Sequence, residues 1–207
     1  MYALVEDNEI KKIITNPKPM IIDDVQYPAK IFQLWSEAEL NAIGIYEVVT
    51  DLSNKKDEQY YINTDEQYTY ANDEVTRSWG TATAKQLEDS LWTQEDSDNE
   101  DLPDDKEVGD VKVDGLKTLK KRIVKQQASG LLAPTDWYVV KANEVEGYTV
   151  PENITTFRSD VRAKSNEMET QIDACNTVDE LKALYEYTRQ EDGTTTWPLA
   201  EFPEEVV

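Results

Sequence analysis

The sequence predicts an α+β protein: a small antiparallel β-rich module at residues 1–94, followed by a segment of two or three helices at 113–207. Three observations predict it. The first part holds short runs rich in Tyr, Val and Thr, broken by Asp/Asn and Gly turns, as strands of a half-buried sheet require. After residue 112 the apolar residues recur at steps of three and four, which is the helical period. Between the two lies EDSDNEDLPDDKEVGD, with nine acidic residues and one basic. Self-repulsion and few apolar side chains make 95–112 an acidic linker or an exposed loop.

Along the chain, Tyr2–Glu6 and Glu9–Thr15 read as strands around a two-residue Asp7-Asn8 turn. Ser36-Glu37-Ala38-Glu39 is a capping box, so a short helix starts there and ends at Gly44, a natural C′ residue. Ile45–Val49 reads as a strand. Tyr60–Ile62 and Tyr68–Tyr70 follow, with Asn72-Asp73 turning into Glu74–Trp79. In the last segment Val113, Leu116, Leu119, Ile123 and Val124 give one face of a helix over about 113–132, which Pro134 ends. Pro151 suits the first turn of a second helix. Its apolar positions, Ile154, Phe157, Val161, Met168, Ile172 and Cys175, approach a heptad seam, interrupted at Lys164 and Ser165, that favours self-association. Thr177-Val178-Asp179-Glu180 reads as another capping box. The end, TTTWPLAEFPEEVV, reads as an extended tail because residues before proline avoid the helical region.

Composition removes whole classes of function. Among 207 residues, 43 are acidic and 21 basic, a formal charge of −22. Such a surface repels phosphate, which disfavours nucleic acid and anionic membrane surfaces as partners. No apolar run approaches the ~20 residues of a membrane-spanning helix, so no membrane insertion is expected. The start, MYALVEDNEI, lacks the basic n-region of a signal peptide. With no histidine and a single cysteine, Ser-His-Asp and Cys-His chemistry and the usual structural zinc sites are unavailable. One cysteine also fits synthesis in a reducing cytoplasm.

Carboxylates, lysines and tyrosines are left to carry chemistry. Asp96, Asp98, Glu100, Asp104 and Glu107 fall at ligand positions of a calcium-loop count, but the glycine position is Asp101 and Pro103 interrupts the loop. That segment is read as a solvated acidic run, and no metal, cofactor or catalytic residue is assigned. Cys175 lies on an apolar helix face and reads as a buried small hydrophobe. The basic stripe Lys117–Lys125 reads as a solvated helix face, or as a contact for the acidic run upstream.

One stretch stands apart: Leu131-Leu132-x-Pro134-Thr135-Asp136-Trp137-Tyr138-Val139-Val140-Lys141. With Val150-Pro151, Phe157-Arg158, Val161-Arg162 and Trp197-Pro198, it resembles the pattern of tailed-bacteriophage tail assembly chaperones and tail-fibre-associated proteins. The N-terminal part is similar to another phage module, through Tyr2-x-Leu4-Val5, an acidic turn, Tyr27-Pro28 and Gly44–Val49. The acidic run and the length of Tyr185–Thr196 depart from the pattern. In physical terms Thr135 or Asp136 caps local amides after Pro134. Trp137 then packs its indole where two helices meet, making a structural corner. The alternative is that Trp137 and Tyr138 form an exposed anchor for a partner. The preceding Leu131-Leu132 favours the corner.

The resemblance implies a non-enzymatic phage tail or tail-fibre structural component, made in the host cytoplasm and located in the virion tail. Its partners would be tail, fibre or baseplate proteins and further copies of itself, a trimer if it follows fibre symmetry. The site residues on this reading, partner-binding or corner-forming, are Leu131, Leu132, Asp136, Trp137, Tyr138, Phe157, Arg158, Val161, Arg162 and Met168. A transient tail-fibre assembly chaperone, absent from the mature virion, is the alternative. Two readings from other classes need specific geometry. A carbohydrate-binding module needs exposed, coplanar rings between Tyr60 and Trp79. A carboxylate enzyme needs a pocket with a raised acid pKa.

Overall fold

A computed structural model describes residues 1–204. It has an N-terminal β-rich part and helices in the C-terminal half, so the fold class is α+β. The chain divides into two compact units, Met1–Ala84 and a second from Lys85 onward.

The first unit is built on β1 (Tyr2–Glu6), β2 (Glu9–Ile14), β5 (Ile45–Thr50), β7 (Gln67–Ala71) and β8 (Glu74–Ser78), in the order β2-β1-β5-β8-β7. All neighbours are antiparallel except β5 and β8. The sheet curls until the edge strands β2 and β7 approach each other. Its hairpins turn on Asp and Asn: Asp7 and Asn8 have φ of 52° and 62°, Asn72 and Asp73 53° and 58°. Two successive positive φ values match the twist of the flanking strands, and Asx residues tolerate them. A smaller hairpin, β3 (Met20–Ile22) and β4 (Val25–Tyr27), repeats the device with Asp23-Asp24.

Strand β1 is covered on both faces. Leu4 points into a cluster with Ile14, Ile22, Ile31, Phe32, Leu40 and Ile45. That face is lidded by β3–β4, α1 (Ile31–Leu34) and α2 (Glu37–Asn41). Ala3 and Val5 point the other way, onto Val48 and Val75 inside the curl. The Ser36 capping box starts α2: Ser36 Oγ accepts from the Glu39 amide, and the Glu39 carboxylate accepts from the Ser36 amide at 2.7 Å. Gly44 ends that segment at φ +78°, and a Cβ there would lie 2.5 Å from the Val5 carbonyl oxygen. The short pair β6 (Tyr61–Ile62) and β9 (Thr83–Ala84) completes the unit.

The second unit begins with β10 (Ser90–Leu91), α3 (Gln94–Asp98) and β11 (Val111–Val113), the last paired with β10. The helices α4 (Leu116–Leu132), α5 (Asp136–Glu144), α6 (Glu152–Ala174) and α7 (Val178–Ala183) follow. A 3₁₀ turn, Ala133–Thr135, joins α4 to α5. Helix α4 packs along α6, burying Val124 and Ala128 from one and Phe157, Val161, Met168 and Ile172 from the other.

Several elements differ from the sequence reading, each for a local reason. The units divide after Ala84, not at 94. The acidic run is exposed, as its composition requires, but it belongs to the second unit and carries structure. Thr93 caps α3, with Asp96 returning the bond, and Lys112 pairs with Asp96 at 2.5 Å. Val113 is in β11 and does not start the helix. The heptad positions of α6 are buried within the chain itself, mainly against α4, so that seam leaves nothing open for self-association. The first residues of the predicted tail are part of a hairpin, and the chain bends at Pro198-Leu199. Thr188–Arg189 (β12) and Thr195–Thr196 (β13) form that hairpin. The last three residues of the tail, 205–207, lie outside the described residues.

Candidate protein-binding site

The stretch 131–141 folds as a helix end, a tight turn and a new helix. Pro134 occupies the first turn of the 3₁₀ segment, where its missing N–H is not needed. The polar groups that this break frees are gathered by one side chain. Arg158, on α6, is 9% exposed. Its guanidinium donates to the Leu132 carbonyl at 3.0 Å and to Thr135 Oγ1 at 2.5 Å, and pairs with Asp136 at 2.8 Å. Thr135, itself buried, donates its hydroxyl to the Leu132 carbonyl at 2.7 Å. All three contacts are made by Nη1, the tip of a long side chain that reaches the turn, and a cation at the C-terminal carbonyls of α4 also interacts favourably with the helix dipole.

Below the staple lies the apolar part of the corner. Phe157, Val161 and Ala128 form a buried cluster against which Leu131, Leu132 and Phe202 pack. Arg162, one turn beyond Arg158, is exposed and donates to the Arg158 carbonyl at 3.1 Å. Met168 is buried farther along α6 and lines a cleft shared with the C-terminal segment. The predicted residues therefore separate. Leu131, Leu132, Asp136, Phe157, Arg158 and Val161 meet at the corner. Arg162 and Met168 lie on α6 beyond it.

Trp137 does not do what the favoured sequence reading gave it. Its indole is 51% exposed and packs in no helix junction. The reason is the phase set by the turn: Asp136 faces Arg158, so the next residue is carried round α5 to the outside. No residue of α5 is buried. Trp137 stacks on Tyr138, with ring centroids 3.9 Å apart and planes 32° apart. The Lys141 ammonium lies over Trp137 and Tyr148, 5.6 and 4.3 Å from their centroids. Val139, Val140 and Val145 are also exposed. The corner belongs to Arg158, and Trp137 lies exposed on α5 with Tyr138 half-buried beside it.

The other candidates find ordinary employment. Two residues of the α4 basic stripe pair with α6: Lys121 with Asp173 at 2.7 Å and Lys125 with Glu169 at 3.2 Å. The hydrogen bond to Asp173 raises the Lys121 pKa. Lys117, buried, donates to the Asp173 carbonyl at 3.0 Å and pairs with Glu88. Lys120 stacks over Tyr185, and Arg122 pairs with Asp114. Burial raises the Cys175 thiol above its usual range. Asp96, the first residue of the calcium-loop count, is held at about 2 by hydrogen bonds from Lys112 and Thr93. Among the described residues, no three Asp, Glu or Cys side chains come together to hold a metal ion.

In the first unit Tyr60, Tyr61 and Trp79 are buried and Tyr68 and Tyr70 half-buried. Tyr70 is tilted 57° to Tyr46 and bonded to its hydroxyl at 3.0 Å. Buried or half-buried, these rings do not make the exposed, coplanar platform a sugar needs. Hydrogen bonds hold the carboxyl groups of Glu9, Glu39, Asp51, Glu66, Asp96 and Asp192 below the usual carboxylate range, opposite to a general acid. No helix among the described residues is long and apolar enough to cross a membrane. Comparison with protein families, with curated proteins and with solved structures finds no match to this chain.

Proposed function

We propose that this chain is a non-enzymatic component of a bacteriophage tail or tail fibre that binds other tail, fibre or baseplate proteins through α5. The observation that carries the binding half is the stacked Trp137–Tyr138 pair on a helix with no buried residue. Rigid, half-exposed aromatics are the side chains that most often dominate protein interfaces. The Arg158 staple holds α5 at a fixed angle to α6, so the anchor is presented at little entropic cost. The phage half rests on the resemblance of the 131–141 stretch and the segments that follow it. With a charge of −22 the partner is protein, not nucleic acid. Self-association, a trimer on fibre symmetry, would use a surface other than the α6 seam, which is already covered.

The second reading is a transient assembly chaperone that holds fibre protein and then leaves. Quantitative mass spectrometry of purified virions separates the two. A fixed copy number, a multiple of three or six, supports the structural component. Absence from virions with abundance in infected-cell lysate supports the chaperone. On either reading Trp137→Ala weakens capture of the partner by about tenfold or more, with the chain still folded. Unchanged capture would remove α5 as the binding face.

A further inference from the structure

Past α7 the chain crosses back over the helices that precede it. Residues 186–196 are exposed throughout and include the β12–β13 hairpin. Residues 197–203, Trp-Pro-Leu-Ala-Glu-Phe-Pro, then run, with a bend at Pro198-Leu199, along a groove with Gln127, Met168, Leu184 and Tyr185 on its helical side. The groove holds this strap mainly by its backbone. The Gln171 side chain donates to the Pro198 carbonyl at 3.0 Å and accepts from the Ala200 amide at 2.8 Å. The Leu184 carbonyl accepts from the Leu199 amide at 3.1 Å. Phe202 reaches the Ala128, Phe157 and Val161 cluster.

The fastening is incomplete. Trp197 is 47% exposed. Leu199, Ala200 and Phe202 are only half-buried. A cavity of about 370 Å³ remains between strap and helices. Hydrogen bonds to the main chain ask only for extended backbone, so selection falls to the side chains that enter the groove. We propose that this groove is a docking site for an extended segment of a partner protein carrying two aromatic–proline steps five residues apart. Residues 197–203 are its built-in occupant and hold it shut until such a segment displaces them.

The tether makes displacement feasible. The hairpin adds no buried apolar residue, so the strap can leave without unfolding α4 or α6. While seated, it competes at the high effective concentration of a short linker, which lowers the apparent affinity of any incoming segment. The proposal does not rest on the tail-protein reading, and its test uses no phage protein.

The probe is a fluorescent synthetic peptide of residues 195–204, titrated into the full chain by anisotropy. The full-length Trp197→Ala/Leu199→Ala/Phe202→Ala variant, its own strap weakened, is expected to bind the peptide at least tenfold more tightly than the wild type. Adding Gln171→Ala, or placing alanine at both aromatic positions of the peptide, is expected to reverse that gain. No binding to a variant shown to be folded by circular dichroism overturns the proposal, as does equal binding to variant and wild type. If the triple variant does not fold, Phe202→Ala alone takes its place. A wild-type dimer that the peptide dissociates would assign the groove to the tail of a second copy, and would overturn the partner reading.

Discussion

Removing the Arg158 side chain tests the account of the corner most directly. Its guanidinium makes two hydrogen bonds inside the turn, to Leu132 O and Thr135 Oγ1, and one ion pair outside it, to Asp136. The Asp136 side chain is 60% exposed, so that pair is screened and contributes under about 1 kcal/mol. Hydrogen bonds with a charged donor contribute about 1.5–3 kcal/mol each. The Leu132 carbonyl keeps its bond from Thr135, which offsets part of the loss. Arg158→Ala should therefore cost about 3 kcal/mol, and Asp136→Ala about 0.5 kcal/mol. Urea denaturation followed by the helical signal near 222 nm reports this unit. Arg158→Lys, which keeps the charge and a donor but not the reach of Nη1, should fall between the two. If Asp136→Ala costs as much as Arg158→Ala, the ion pair holds the corner and the reasoning fails.

Three further outcomes follow from local geometry. Gly115→Ala places a Cβ 2.3 Å from the Glu88 backbone carbon, and forcing the two apart should cost about 1–3 kcal/mol or more, read by the same urea titration. The Asp96 carboxyl, held at about 2 against an ordinary 3.8, is lower in the folded state, so its contribution is present above about pH 4 and is lost as the pH falls through about 2. Carbon NMR of the carboxyl should show that midpoint, and Lys112→Met should move it toward 3.8. The Cys175 thiol, buried and raised, should react with an alkylating reagent far more slowly in the native chain than in urea; equal rates would contradict its burial.

What was legible in the sequence was local. Asp7-Asn8 and Asn72-Asp73 announced their hairpins because only a few residue types accept two positive φ values in succession. Ser36 and Glu39 announced α2 because a capping box is a contact between near neighbours. Thr177 was half-legible: its hydroxyl accepts from the Glu180 amide as expected, but the Glu180 carboxylate turns to the Asn176 amide instead. Two signals of the same kind passed unread. Thr93 with Asp96 is a capping box at the start of the acidic run, and Asp192-Gly193 is a hairpin turn just before the predicted tail, with Gly193 at φ +86°. The roles of Trp137 and Arg158 were not local at all. Which faces the core depends on the pitch of a 3₁₀ turn and on a helix more than twenty residues away. The α6 seam was read correctly as apolar and assigned the wrong partner, because periodicity says that a face is buried and not by what.

The order β2-β1-β5-β8-β7 also bears on how the first unit assembles in time. Each end of the sheet is a local hairpin, β1–β2 and β7–β8, of the kind that closes in about 1–10 μs. Neither touches the other through hydrogen bonds except by way of β5, which pairs with β1 on one side and lies parallel to β8 on the other. The slow step is therefore the seating of one strand between two finished hairpins, across long loops whose closure entropy must be met first. Changes within either hairpin turn should therefore mainly slow folding, whereas changes at Ile45 or Val48 should divide between slower folding and faster unfolding.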